Sequence, residues 1–508
     1  MIKTSLTFIF SFISFACFAQ EDTVRLIPHY KQTGFLQLDY QSIKMPDGER
    51  NMGFSGIHYN LDIGKLFYGG FGFYGSVSGE RGGFFTLGIN AGLKLKLFDN
   101  LLFDAGVHLG GGGGASAPDG GGAMFLGHAN LVYKFPKFDA FAGYGYVNFF
   151  DGGAIRSNHI NFGVRVPLHV NYADFSNLEK KISYKANQQT SWNRESKKLG
   201  IMLHFNNLFP KGKSRTTDGS SLDGKTMRLM GVEINSYFNK NNFFFVKADG
   251  GYSGIKGGYM DILLGAGHQF SFNADRTAIV AKFGIGAGGG GGVDTKGGFL
   301  IYPDLSLVQR IYKNFNIQIN KGLLMTPNSD FYSSTLGIGL LYNVGQGGFK
   351  YNKDEVFEQA VFKGLEITMA QEIYFKAKRE GRSAKDMQQI LLQLNYYMNR
   401  HIFLAGQTAF ANFGDAGAYA EGTFGIGAAS GNKFKVFTQV LAGGSGGGGI
   451  DVGEGLIVKP SIGIQYQILP DLDLRSTFGR VIAVDGALNS STLNFGLSYK
   501  IALLSGKR

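Results

Sequence analysis

Apolar and polar residues alternate one by one through most of this chain. Between 85 and 97, Phe85, Leu87, Ile89, Ala91, Leu93, Leu95 and Leu97 share one face, opposite Thr86, Gly88, Asn90, Gly92, Lys94 and Lys96. Ile160, Phe162, Val164, Val166, Leu168 and Val170 likewise oppose Asn161, Gly163, Arg165 and His169, and Leu493, Phe495, Leu497, Tyr499 and Ile501 oppose Asn494, Gly496, Ser498 and Lys500. A period of two is the signature of a β-strand. It predicts eight strands in the first third of the chain, at 34–43, 51–63, 66–77, 84–97, 101–110, 122–135, 138–149 and 159–171. Short turns near Gly64, Phe98–Asn100 and Pro136 alternate with longer Gly-rich loops near Ser78–Gly83, Gly110–Gly122 and Gly152–Asn158. An even strand count returns the chain to the side where it began.

The pattern then repeats. A glycine run recurs at Gly110–Gly114, Gly288–Gly292 and Gly446–Gly449, each time after an alternating segment. Upstream, FDN, NAD and SGN triplets mark matching tight turns, as their Asn, Asp and Gly content allows. Downstream, SNHINFGVRVPLHV corresponds to SSTLGIGLLYNV and SSTLNFGLSYKI. Repetition of this kind is settled before any fold is assigned. The units run at 34–172, 199–345 and 364–503, joined by linkers at 173–198 and 346–363, with a short helix expected at Asp354–Phe362. Residues 384–400 have helical propensity, but they align with strands of the other units and are read as a strand.

Composition narrows the class. The 508 residues include 78 Gly, 46 Phe and 24 Tyr but one Trp and ten Pro. Many aromatics argue against a disordered Gly-rich tract. Lys3, the apolar stretch Leu6–Phe15 and Cys17-Phe18-Ala19 read as a secretory signal over 1–19. A lipidated Cys17 is the less favoured reading, because Ser14 stands where an aliphatic residue is usual. Cys17 is the sole cysteine, so a chain cut after Ala19 has no disulfide, thiol nucleophile or thiolate ligand. No later run of about 18 apolar residues offers a transmembrane helix. A membrane span would therefore be made of strands, the other solution that pairs every backbone group.

Alternation alone also fits a soluble sandwich. The export signal, the aromatic clusters Phe67-Tyr68, Phe73-Tyr74 and Phe149-Phe150, and the short-turn, long-loop alternation favour the membrane. In these features the chain resembles Gram-negative outer-membrane β-barrel proteins over nearly its whole mature length. The resemblance is one of architecture. It implies an all-β transmembrane antiparallel barrel contacting outer-membrane lipids and lipopolysaccharide, and it carries over no functional residue. Three eight-strand units permit one barrel of about 24 strands or three small ones. The expectation taken is the single barrel, since duplicated hairpins usually enlarge one sheet. Long linkers and small inward residues serve the alternative.

Such a barrel is expected to be a channel or transport protein with a polar lumen, closed where needed by a periplasmic or lipoprotein partner. The alternative is a structural or adhesion-type barrel that binds an external partner through its Gly-rich loops. The net charge of +12 suits anionic headgroups or an anion-preferring lumen, and nucleic acid is not expected of an exported chain with scattered basic residues. No cofactor and no enzymatic role are expected. Ser157 and His159 are near neighbours but lack any oxyanion-hole signature. His58, His108 and His128 fall on the polar face of the first unit with Asp62 and Asp104, and imidazole suits zinc, copper or nickel. Asp294 and Asp451 follow glycine runs in an order like the start of a calcium β-roll repeat, though single copies cannot stack. Capping of the loop is their plainer role. Pro303 and Pro460 occupy matching places, and proline cannot donate to a sheet ladder. Each marks a frayed strand top or a break in the wall.

Overall fold

The computed structural model describes residues 27–350 and 356–507. The signal at 1–19, with Cys17, lies outside the described residues. The first eight strands are β1 (Tyr30–Ile43), β2 (Met52–Ile63), β3 (Phe67–Ser78), β4 (Phe85–Phe98), β5 (Leu101–Gly113), β6 (Met124–Lys134), β7 (Asp139–Phe149) and β8 (Arg156–Tyr172). Each pairs antiparallel with the next, and β1 pairs with β8 from Tyr30↔Tyr172 to Gln41↔Asn161. A short strand β9 (Lys181–Ser183) and a single helical turn α1 (Tyr184–Asn187) follow.

The next set is β10 (Lys197–Pro210), β11 (Met227–Tyr237), β12 (Asn242–Ser253), β13 (Met260–Phe272), β14 (Thr277–Gly289), β15 (Phe299–Tyr312), β16 (Phe315–Met325) and β17 (Tyr332–Gln346). It closes by pairing β10 with β17 from Lys197↔Gln346 to Pro210↔Ser333. The last set is β18 (Gln359–Arg379), β19 (Arg382–Tyr397), β20 (Ile402–Phe413), β21 (Ala420–Gly431), β22 (Phe434–Gly446), β23 (Leu456–Leu469), β24 (Leu472–Ala483) and β25 (Asn489–Lys507). Here β18 pairs with β25 from Gln359↔Lys507 to Tyr374↔Thr492.

These closures overturn the single barrel of about 24 strands. The first ring stands by itself, and the sheet of the second carries β18–β25 and β9 through the bridge Gln346↔Ser505 and the pairing of β9 with β18. The physical reason is local. In each set the first and last strands match in register along most of their length, so both free edges are satisfied within the unit. A larger ring would gain no further backbone hydrogen bonds and would have to order longer connections. The expected helix at Asp354–Phe362 is also corrected. Its first residues, up to 355, lie outside the described ones, but Gln359–Phe362 already belong to β18. The segment 384–400 falls in β19 as far as Tyr397.

The rings touch through glycine. A Cβ at Gly111 would lie 2.5 Å from the Ala411 carbonyl oxygen, one at Gly289 would lie 2.7 Å from the Gly82 carbonyl carbon, and one at Gly446 would lie 2.6 Å from the Gly258 Cα. Thus the fifth strand of each ring, with its glycine run, meets the third strand or the loop after it in another ring. The order is cyclic: first to third, second to first, third to second. Hydrogen bonds cross two of these junctions. Ser76 Oγ donates to the Gly297 carbonyl at 2.9 Å, and Gly257 N–H donates to the Gly453 carbonyl at 3.0 Å. An apolar cluster fills the space between rings: Phe85, Leu87, Ala287, Ile390, Leu392 and Phe410. This explains why one alternating face has two fates. Leu87 is fully buried, whereas Ile89 and Leu95 on the same face remain exposed.

Elsewhere the outer walls expose Ile160, Phe162, Leu336, Ile338, Phe495 and Leu497 among many others. Apolar faces of this extent are rare on soluble monomers, and an apolar exterior around closed antiparallel rings is the outer-membrane arrangement.

Substituting Gly446→Val should therefore separate the second and third rings at their loop end and cost roughly 2–3 kcal/mol, through overpacking and a positive φ. Gly422→Ala, with open space around its Cβ, should leave the detergent-solubilised melting curve unchanged.

Candidate functional site

An eight-strand ring leaves an interior just wide enough for side chains to fill. In each ring the filling comes in layers. Towards the long-loop end lies an apolar cap: Met52, Phe54, Phe84 and Phe149 in the first ring, Leu229, Tyr259, Leu300 and Phe331 in the second, and Met387, Tyr419, Ile457 and Leu488 in the third. Below the cap, inward positions carry charges, most of them ion-paired: some pairs span the lumen, as Arg165–Asp104 and Lys459–Glu372, and others lie along one strand or between neighbours, as Lys247–Asp249 and Lys500–Asp473.

In the first ring, Arg165 on β8 donates through Nη1 to Asp104 Oδ2 on β5 at 2.9 Å and through Nε to Gln37 Oε1 on β1 at 2.8 Å. Gln37 Nε2 donates to Asp39 Oδ2 at 2.8 Å. His128 Nε2 lies 2.8 Å from Asp104 Oδ1, and Tyr68 OH is 3.3 Å from both. His58 lies 3.4 Å from Asp39 and 5.7 Å, ring to ring, from His108, with Asn90 bridging the two. The structure therefore brings His58 and His108 together and places His128 in a different pair, with Asp104. Asp62 is held by Lys94 at 2.5 Å. Among the described residues, no group of three or more His, Cys, Asp or Glu side chains is arranged to hold a metal ion.

The second ring pairs Lys282 on β14 with Glu233 at 2.8 Å and Asp304 at 3.4 Å. Lys247 pairs with Asp249, which also meets His204 Nε2 at 2.5 Å. The third ring sets Lys459 between Glu372 at 2.8 Å and Glu421 at 2.5 Å, Arg475 against Glu366 at 3.3 Å, and Lys500 against Asp473 at 2.6 Å. Its lower mouth is also stoppered. The 173–198 linker brings Phe175 edge-on to Tyr397 at 5.2 Å, under the Lys435 ammonium at 4.7 Å, and packs Leu178 with Tyr397 and Phe403. Glu179 of the same segment accepts from Arg400 at 2.8 Å. Sequence reasoning placed polar residues inside but missed this stopper, because a linker has no periodicity to reveal where it docks.

Asp294 and Asp451 lie in loops. Asp294 Oδ1 accepts from Lys296 N–H and Asp451 Oδ1 from Ala487 N–H, both at 3.2 Å. Pro303 and Pro460 sit within β15 and β23. Each pairs on one side, with Phe283 and Val440. On the other side, the ladder to β16 skips from Ile301 to Asp304 and that to β24 from Val458 to Ser461, with register kept on both sides of the gap. Ser157 Oγ accepts from Lys44 N–H at 2.9 Å, and His159 Nδ1 faces the Ser157 carbonyl at 3.3 Å, so the two side chains do not form a nucleophile–base pair.

One loop carboxyl has an unusual setting. Asp119, in the loop after the first glycine run, is buried where the first ring meets Gly417 of the third, and accepts from Gly114 N–H at 2.8 Å. Burial, against that hydrogen bond, pushes its carboxyl up to about 7.

No family model matches the chain and no curated protein does. Solved structures similar to it include Pseudomonas aeruginosa OccK11 (OpdR), at 10% identity over 93% of this chain and 96% of that one with a TM-score of 0.23. Acinetobacter baumannii OccAB3 gives 11% identity over 92% and 99%, with a TM-score of 0.22. The ferric enterobactin receptor PfeA in complex with BCV-L6 gives 8% over 92% and 81%, with a TM-score of 0.28. At these identities and scores the likenesses carry no argument. What the chain's own geometry establishes is the general architecture of outer-membrane β-barrels: closed antiparallel rings, apolar outside and polar inside.

Two outcomes follow from the site. Arg165→Ala would strand Asp104 and Gln37 in the first lumen and should cost roughly 3–5 kcal/mol in denaturant unfolding, whereas removing the exposed Arg50 partner of Glu80 should cost under about 0.5 kcal/mol. Asp119 binds its proton more tightly folded than unfolded, since about 7 lies above the ordinary 3.8. Its stabilising effect is present below about pH 4 and lost as pH rises through about 7. Melting of Asp119→Asn should lose this pH dependence.

Proposed function

We propose that this chain is an outer-membrane barrel protein of the channel and transport class whose passages are shut at rest, and that its role is not catalytic. The observation that carries the reading is the ion-paired girdle across each lumen. A buried ion pair is a poor stabiliser, and well-packed apolar residues of like volume often do as well or better. An inert filled barrel could continue its apolar cap downward. Charged groups pairing across the interior are closures that a change of field, protonation or partner can rearrange. The stopper of Phe175 and Leu178 under the third ring acts in the same sense, and a periplasmic or lipoprotein partner reaching that linker would be one way to move it. The units at 34–172, 199–345 and 364–503 belong to this reading as three repeats, each closing its own ring.

A structural reading has its own support: each lumen is also sealed by a buried apolar layer, and two of the three glycine runs are spent on contacts between rings that hydrogen bonds reinforce. The Gly-rich loops then serve assembly more than adhesion.

Planar-bilayer recording separates the two. The wild-type protein should show no standing nanosiemens current. Lys459→Ala and Arg475→Ala, which break the third girdle, should give brief picosiemens openings that become more frequent with voltage. Silence of correctly inserted variants at every voltage and pH would leave the structural reading. A steady large conductance of the wild type would contradict the closed lumens.

A further inference from the structure

The chain-entry mouth of the second ring differs from the girdles above it. A cavity of about 70 Å³ opens there, lined by Lys198, Lys240, Arg276, Arg310 and Lys313, with Asp275 as the one carboxylate of the lining among the described residues. Three hairpin turns deliver these groups: β11–β12 carries Lys240, β13–β14 carries Asp275 and Arg276, and β15–β16 carries Lys313 beside the end of β15, where Arg310 lies. The β13–β14 turn is held open by left-handed backbone at Asn273, Ala274 and Asp275, with φ of 53, 52 and 59°.

The charge balance is the informative feature. Inside the three rings, Arg165, Lys247, Lys282, Lys459, Arg475 and Lys500 each lie within 4.0 Å of a carboxylate. At this mouth the Asp275 carboxylate lies within ion-pair distance of Lys240 alone among the described residues, at 3.6 Å. Arg310 donates through Nη2 to the Asp275 carbonyl oxygen, a neutral acceptor, at 2.7 Å. Arg276, Arg310 and Lys313 have no carboxylate within ion-pair distance among the described residues. Cations converging on a small cavity repel one another, and an anion in that cavity relieves the repulsion. Guanidinium groups match tetrahedral oxyanions through paired N–H donors.

We propose that this mouth binds a phosphate-class oxyanion, held by Arg276 and Arg310 with Lys240 and Lys313 supplying further charge. Two sources share that chemistry: free phosphate or a phosphorylated solute, and the headgroup of an anionic phospholipid of the leaflet the turns would face. The proposal does not depend on whether any ring conducts.

The test uses the full chain folded in detergent. Inorganic phosphate is titrated at constant ionic strength against chloride and followed by calorimetry and melting. Saturable binding and a raised melting temperature are expected. The double variant Arg276→Gln with Arg310→Gln should weaken binding at least about ten-fold, about 1.4 kcal/mol, while Lys96→Gln on the first ring should not change it. Both arginines lie at a turn or strand end, and Arg276→Lys with Arg310→Lys serves as a folding control that keeps the charge. A second arm inserts the protein in nanodiscs of phosphatidylcholine with or without phosphatidic acid and counts retained lipids by native mass spectrometry. Arginine-dependent retention of phosphatidic acid, displaced by added phosphate, assigns the headgroup. Phosphate binding without such retention assigns a soluble anion. Absence of saturable binding in both arms, or equal binding by the double Gln variant, overturns the proposal.

Discussion

Backbone pairing is the constraint from which the rest follows. In lipid an unpaired N–H or C=O costs several kcal/mol, so a strand with a free edge is not a stable element of a membrane protein. Here each set of eight strands satisfies its own edges, through β1–β8, β10–β17 and β18–β25. Once a ring closes at eight, its interior is too narrow for bulk water and too wide for backbone alone. It must be filled. Apolar caps fill one end, and paired charges such as Arg165–Asp104 and Lys459–Glu421 fill the middle. Closure number thus dictates the character of the lumen.

The same economy governs contact between rings. Two curved sheets approach closely only where side chains are absent, and the glycine runs supply those places. Because each run meets another ring in cyclic order, the chain behaves as three covalently joined copies in a closed arrangement rather than an open string. The apolar cluster of Phe85, Leu87, Ile390 and Phe410 then occupies space that would otherwise face lipid.

Strands were legible in the sequence because alternation is a local, periodic signal. The eight strands of the first unit, the turn triplets and the strand nature of 384–397 are all written in alternation. Closure was not, because one residue pattern serves eight strands or 24 equally well. What decides is which edge finds which partner, as in Lys197↔Gln346. Lumen chemistry was only half legible. Arg165, Leu341 and Ser498 occupy one repeat position and are all buried, so the repeat identifies the inward face without giving its residue. The histidines were correctly placed inside, yet their partition into His58 with His108 and His128 with Asp104 depends on cross-ring neighbours such as Asn90 and Tyr68. The basic mouth of the second ring went unnoticed because its cations lie on three separate turns.

Ring closure is tested most directly by disulfide trapping in a chain carrying Cys17→Ala. Phe205→Cys with Ile338→Cys places thiols on paired residues of β10 and β17, and Leu38→Cys with Val164→Cys does so on β1 and β8. Near-complete cross-linking of both pairs in the folded, membrane-inserted protein is the predicted result. Failure of both pairs, together with efficient cross-linking of cysteines placed across β8 and β10, would contradict the account and restore one large barrel.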